Sequence, residues 1–292
     1  MWRVQGGGSR KGALHAKGYT YYNVQTSQVT STQLELESPR MSRPFDLDGK
    51  VAVVTGANTG LGQAIALALA QAGADIVAVG RSAADETLAG VRKAGRRGEW
   101  IEANLDDSAD TAAIVDSAVA KFGAIDILVN NAGTIRRNDA LDFTQDDWDA
   151  VIGVNLKSAF FLAQAAARWW VAQQRGGKII NIASMLSFQG GIRVASYTAS
   201  KSGLLGITRL LANEWAARGI NVNAIAPGYF ATNNTQALRA DPKRNQAILE
   251  RIPAARWGDP ADIGGAAVFL ASRAADYVHG AVLPVDGGWL AR

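Results

Sequence analysis

From Phe45 onward, short and nearly continuous apolar runs alternate with longer stretches whose apolar residues recur every three or four positions. The runs "KVAVVTG" (50–56), "DIVAVG" (75–80), "GEWIEAN" (98–104) and "IDILVNNAG" (125–133) predict four strands. "GKIINIAS" (177–184), "INVNAIAPG" (220–228) and "AVLPVDGG" (281–288) predict three more. Helices are expected between them at 61–73, 83–95, 108–123, about 145–173, about 196–218 and 260–272. Gly73, Gly95 and Gly123 read as helix stops, Ser108 as an N-cap and Pro260 as a first-turn residue. The 145–173 helix is amphipathic and aromatic-rich, with Trp148, Phe160, Phe161, Trp169 and Trp170. Strands apolar on both faces and separated by helices predict an α/β fold, a doubly wound and mostly parallel seven-stranded sheet with helices on both faces. Such sheets bind ligands outside the carboxyl ends of their strands, where the strand order reverses. Residues 229–256 show no clear strand and are expected to form an irregular or helical excursion.

Residues 1–40 follow neither period, are rich in Gly, Ser, Thr and Gln, and lack the apolar centre of a secretory signal. Residues 1–44 therefore read as a disordered or non-native tail on a single domain spanning 45–292, with Met41 a candidate true start and a transit peptide the alternative. The tail also accounts for the basic pI of 9.4. Residues 1–40 hold five basic side chains against two acidic ones, which leaves about +1 of the formal +4 for everything after. With no basic stripe interleaved with aromatics, nucleic acid is not an expected partner. A chain of 292 residues, 48% hydrophobic and 19% charged, has an ordinary globular composition. Its apolar runs stop short of the roughly 18 residues of a membrane span, so no membrane partner is expected. It has no cysteine, which excludes disulfides, thiol nucleophiles and thiolate metal sites and fits a reducing, cytoplasmic location. The two histidines, His15 and His279, allow no His-rich metal centre, and His279 reads as a surface or interface residue.

Candidate chemistry begins at the first strand–helix turn. In "TGANTGLG" (55–62), Gly56 permits a tight turn, Gly60 lets the backbone approach a pyrophosphate, and Gly62 allows close helix–strand packing. The helix start adds unpaired N–H groups and the positive end of a dipole. The spacing is G-x-x-x-G-x-G. In "YTASKSG" (197–203), Tyr197 and Lys201 stand one helical turn apart on one face among small residues. Taken alone, that pair reads equally as a phenol packed on a lysine stem.

The glycine spacing, "NNAG" (130–133) after the fourth strand, and Tyr197-x-x-x-Lys201 occur in an order that resembles the short-chain dehydrogenases/reductases, over residues 45–292. The resemblance implies a Rossmann-type, NAD(P)-dependent alcohol dehydrogenase or ketone reductase. It makes Tyr197 the general acid/base and Lys201 its activator and the contact to the nicotinamide ribose. A free phenol has a pKa near 10, and a nearby ammonium is expected to lower it. Ser184 would hydrogen-bond the substrate oxygen, and Asn155 would hold the long helix and a water linked to Lys201. The implied cofactor contacts are Gly56, Asn58, Thr59, Gly60, Leu61, Gly62, Arg81, Asn104, Leu105, Asn131, Ala132, Gly133, Pro227, Gly228, Phe230 and Thr232, with Tyr197 and Lys201. Within this set Asn131 would brace the sheet and Thr232 would lie near the nicotinamide carboxamide.

The second strand ends in Gly80 and Arg81, where NAD-specific relatives carry an acidic residue. Arg81 by itself favours NADP through its 2′-phosphate, or stacks on adenine. Three longer strings, "IASMLSFQGGIRVASYTASKSG" (182–203), "NAIAPGYFATNNTQALRAD" (223–241) and "VDGGWLAR" (285–292), resemble one group in the family, the 2-dehydro-3-deoxy-D-gluconate 5-dehydrogenases of pectin and uronate breakdown. That group is mostly NAD-linked, so NAD is the expected cofactor and NADP the alternative. A sugar acid needs a cation for its carboxylate, for which Arg136, Arg137 and Arg193 are candidates. Gln189, Asn233, Asn234 and Gln236 are candidates for its hydroxyls. Each of these arginines reads equally as a partner in a surface ion pair. Residues 229–256 are the expected substrate lid, and Trp289 reads as interface or core. The resemblance also implies a homotetramer. Rival readings are an NADP(H)-dependent reductase of another sugar acid, of the gluconate 5-dehydrogenase or uronate reductase type, and a catalytically silent dinucleotide sensor.

Overall fold

β1 (Val51–Thr55) is buried along its whole length because it lies inside the sheet and is covered on both sides. Ala52 and Val54 point into one hydrophobic layer, Val51 and Val53 into the other. This is the two-residue period of a strand with both faces apolar, which is why the sequence reads as a continuous run. β2 (Asp75–Gly80) divides the same way, Ile76 and Ala78 against Val77 and Val79. The remaining strands are β3 (Gly98–Glu102), β4 (Ile127–Asn130), β5 (Gly177–Ile182), β6 (Ile220–Pro227) and β7 (Val282–Val285). These positions come from a computed structural model that describes residues 43–105 and 111–292. The tail expected over 1–44 lies outside the described residues up to position 42, as does the Ser108 cap.

The strands lie in the order β3-β2-β1-β4-β5-β6-β7, and every neighbouring pair is parallel. The chain therefore builds outward from β1 in one direction, then crosses over and builds in the other from β4. That reversal opens a crevice between the carboxyl ends of β1 and β4, at Thr55 and Asn130. Helices α1 (Gly60–Gln71), α2 (Asp85–Lys93) and α9 (Gly264–Ala271) fill one layer with Ile65, Leu69, Leu88, Val91 and Leu270. Helices α3 (Thr111–Phe122), α5 (Ser158–Ala172) and α6 (Ala195–Trp215) fill the other with Ile114, Val115, Leu162, Trp170 and Leu211. Three short helices, α4 (Gln145–Ile152), α7 (Gln236–Ala240) and α8 (Pro242–Arg251), complete the set among the described residues.

The expected 145–173 helix is interrupted in its middle. A π turn at Gly153–Lys157 joins α4 to α5, and it carries Asn155. One extra residue per turn rotates that side chain away from the direction a regular α-helix would give it, a device frequent at functional sites. The carbonyl of Val154 accepts a 2.6 Å bond from Ser158 Oγ. The 28 residues Gln145–Ala172 are apolar and long enough, by composition alone, to cross a membrane, contrary to the reading from run length. Their inner face, with Leu162, Ala166 and Trp170, packs in the core instead. His279 is half-buried, with Nε2 3.1 Å from Asn221 Nδ2.

Candidate active site

The glycine turn is built at the switch point. Gly56 and Gly60 have φ of +64° and +59°, the left-handed region that glycine enters without strain. A Cβ on Gly62 would fall on Gly56 O and Asn131 Nδ2, so α1 approaches β1 closely only because that position has no side chain. The start of α1 carries no acidic residue in its first turn and no side-chain cap from Thr59. Its first N–H groups are thus left for an anion, beside the half-buried Asn58 and Leu61. These features fit the pyrophosphate of a dinucleotide.

The rim opposite comes from β4. Asn131 Nδ2 donates to Thr55 O at 2.8 Å and to Gly56 O at 3.2 Å. The N–H groups of Asn131 and Ala132 both donate to Thr55 Oγ1, at 3.0 and 2.9 Å. Thr55 was not singled out from the sequence, although its place at the end of β1 is a signal for it. At the far end of the crevice, Arg81 and Asn104 are exposed after β2 and β3, and Leu105 is buried. Pro227 at the end of β6 and Gly228 after it lead to the buried Phe230 and to Thr232, whose methyl lies 3.6 Å from where a Gly60 Cβ would stand. Thr232 therefore closes over the glycine turn.

The Tyr/Lys face lies on the buried side of α6. Lys201 is 4% exposed, its Nζ donates to Ile182 O at 2.6 Å, and it sits 5.8 Å from the Tyr197 ring centre. Burial lowers its pKa to about 8. Burial also raises the pKa of the Tyr197 phenol, against downward pulls from a hydrogen bond to Ser184 and from the charge of Arg137. The expectation that the Lys201 ammonium lowers the phenol is not what this environment does. Desolvation outweighs the lowering influences, and Ser184 and Arg137 supply those.

Ser184 ends the loop after β5, and its Oγ accepts from Leu186 N–H at 3.1 Å, so it caps a short 3-10 turn as well as meeting Tyr197. Ser187, absent from the expected site, ties this turn to α6. Its Oγ accepts from Ser184 N–H at 3.3 Å and donates to Lys201 O at 2.7 Å. Asn155 is 1% exposed and clamps the loop after Gly133, with Oδ1 accepting from Thr134 N–H at 2.8 Å and Nδ2 donating to Thr134 O at 3.0 Å. It also donates to Ser200 Oγ at 3.2 Å. Asn155 is thus held by backbone and by Ser200, not directly by Lys201.

The residues expected to read substrate fall into two groups. Arg136 pairs with Asp147 at 3.3 Å and Arg193 with Asp139 at 3.1 Å, which is the ion-pair reading for both. Gln189 Oε1 accepts from the indole N–H of Trp289 at 3.0 Å. Asn233 and Asn234 are exposed on the turn leading into α7, and Gln236 is exposed at its first position. The positive charge of Arg137, by contrast, acts to lower the pKa of Tyr197.

The chain matches, over residues 56–290, the family profile described as enoyl-(acyl carrier protein) reductase. A 2-dehydro-3-deoxy-D-gluconate 5-dehydrogenase of Escherichia coli K12 is 64% identical over 248 residues, covering 85% of this chain and 98% of that protein. The chain belongs to the short-chain dehydrogenase/reductase family. It is an NAD(P)-dependent oxidoreductase. Among solved structures, one from Agrobacterium tumefaciens, described as a 2-deoxy-D-gluconate 3-dehydrogenase with bound NADP, superposes with a TM-score of 0.81 at 62% identity over 86% of this chain and 100% of that one. A gluconate 5-dehydrogenase from Burkholderia cenocepacia J2315, in complex with NADP and tartrate, gives 0.80 at 40% identity over 85% and 98%.

Proposed function

We propose that this short-chain dehydrogenase interconverts a secondary hydroxyl and a ketone on a deoxy keto sugar acid of the 2-dehydro-3-deoxy-D-gluconate type, within pectin and uronate breakdown. The observation that carries the reading is Tyr197 paired with Ser184 over the buried Lys201, whose Nζ lies 5.8 Å from the phenol ring centre. The nicotinamide, when bound, accepts or returns the hydride. Tyr197 is the acid/base: it takes the hydroxyl proton during oxidation and returns it during reduction. Its raised pKa favours the protonated phenol, which suits proton donation to a ketone, while Ser184 and Arg137 offset part of that rise for the reverse step. Ser184 donates to the substrate oxygen as charge develops there. Lys201, protonated below its pKa of about 8, holds the ribose side and supplies positive charge beneath the phenol. Asn155 fixes the loop after β4 against α6. Arg137 contacts the substrate carboxylate. The segment 229–256, with α7 and α8, acts as the lid.

Gly56, Gly60, Gly62 and the N–H groups of the α1 start cradle the pyrophosphate in this reading. Gly80 and Arg81 at the end of β2 place no carboxylate against a 2′-phosphate, and the relatives solved with NADP are similar across nearly the whole domain. The cofactor pair thus extends from the expected NAD to NADP. A homotetramer and a cytoplasmic location complete the proposal. Half-exposed Trp148, Phe161 and Leu210 on α4, α5 and α6 offer apolar surface to a second copy, and the absence of cysteine suits a reducing compartment.

The test is cofactor reduction by the purified protein given 2-dehydro-3-deoxy-D-gluconate, with NAD and NADP in parallel and gluconate as the competing substrate. Turnover of the deoxy keto acid that Tyr197→Phe abolishes is the expected result. Preference for gluconate moves the protein to the gluconate 5-dehydrogenase type. Silence with both, with the dinucleotide still bound, moves it to a sensor.

A further inference from the structure

The C-terminal string "DGGWLAR" (286–292) has no part in the chemistry above, yet it is built with unusual care. Asp286 caps it, its carboxylate accepting from the N–H groups of Gly288 and Leu290, both at 2.9 Å. Gly287 and Gly288 turn through the left-handed region at φ of +65° and +89°. That reversal drives Trp289 inward until it is 6% exposed. Its ring then meets Arg251, the last residue of α8, with the guanidinium 4.1 Å from the ring centre. Ile248 and Ile252 share its hydrophobic cluster with Met185, the residue after Ser184. Arg292 adds a 2.7 Å bond to Glu250 O. On its other edge the indole N–H donates to Gln189 Oε1 at 3.0 Å, across 100 positions of sequence.

We propose that Trp289 is a positioning residue that anchors the α7–α8 segment and ties it to the turn carrying Ser184. The ring holds α8, and the N–H holds Gln189 and, through it, the Ser184 turn. This rests on the reading of α7–α8 as the lid and of Ser184 as the substrate-oxygen contact. A closed lid and a placed Ser184 are thereby set by one side chain, so that substrate enclosure and the catalytic hydrogen bond change together.

Two experiments on the full chain test it. In limited trypsin digestion without substrate, Trp289→Ala is expected to speed cleavage at Arg239, Lys243 and Arg244 about tenfold or more, while Trp289→Phe, which keeps the ring, stays within about threefold of wild type. Equal rates in all three proteins overturn the anchor, whether or not any sugar acid is turned over. In steady-state assays with 2-dehydro-3-deoxy-D-gluconate, Trp289→Phe and Gln189→Leu are each expected to lower kcat several-fold with KM for the cofactor unchanged. The double variant should lose no more than either single one, since both break one bond. Independent, multiplying losses, or a change confined to KM for the sugar acid in Gln189→Leu, overturn the tie and return Gln189 to substrate contact. If wild type is silent on this substrate, the sugar-acid reading fails, and the digestion still decides the anchor.

Discussion

The glycine turn after β1 and the corner formed by α8 and the C-terminus are made by opposite means. The first is backbone: three glycines, an uncapped helix start and a short side-chain brace from Asn131. Its partners lie within one strand–helix unit, just after the adjacent strand and, for Thr232, after β6. The second is side chains: Tyr229 stacks edge-on against Trp257 and Trp289 at 5.4 and 4.9 Å, and Trp257 donates to Asn245 at 2.7 Å. A backbone cradle suits a ligand part common to every reaction of such enzymes, because a phosphate is met by N–H groups whatever the substrate. A side-chain corner can change without disturbing that cradle. The difference separates a fixed cofactor half from an adaptable substrate half.

Four substitutions press on this division, in falling order of effect. Tyr197→Phe should lower kcat by about 10³-fold while calorimetric dinucleotide affinity stays within a few-fold. Lost affinity would show that the phenol belongs to the cradle instead. Gly62→Val places a branched side chain onto Gly56 O and Asn131 Nδ2. We expect dinucleotide binding to become undetectable by calorimetry and stability to fall by about 1–3 kcal/mol in urea. Arg137→Leu should raise KM for the sugar acid by roughly 10–100-fold, the size of a charge-assisted bond, with cofactor KM unchanged. Unaltered KM for the acid would take the carboxylate elsewhere.

The smallest effect is in pH. Lys201 has its pKa lowered from 10.5 to about 8 by burial. Between those values the unfolded chain still holds a proton that the folded chain has released, so this group makes stability rise with pH across the window. The rise is on the order of 3 kcal/mol if fully expressed. Urea midpoints of wild type and Lys201→Met, measured from pH 7 to 10, should converge as pH climbs. Parallel curves would mean the ammonium is not desolvated.

Much of the fold was legible because its signals are local. The runs that became β1, β2 and β4 to β6 carry their burial in their composition, and positive φ at Gly73, Gly95 and Gly123 matches the helix stops read from them. The π turn at Gly153–Lys157 was not legible. An uninterrupted helical period runs through it, and the extra residue is stabilised by Thr134 and Ser200, which lie 21 positions before Asn155 and 45 after it.

The site divides along the same line. Spacing alone set Tyr197 and Lys201 on one face of α6 and set three glycines at the first crossover, since a helical turn and a tight turn are short-range geometry. Only the tertiary structure distinguished the arginines, bringing Arg137 near enough for its charge to lower the Tyr197 pKa while Asp147 and Asp139 engage Arg136 and Arg193. It alone gave Gln189 to Trp289 and reversed the expected influence on Tyr197, where desolvation outweighs nearby positive charge. Burial and long-range pairing depend on which surfaces meet after the sheet has formed, and no spacing along the chain carries that information.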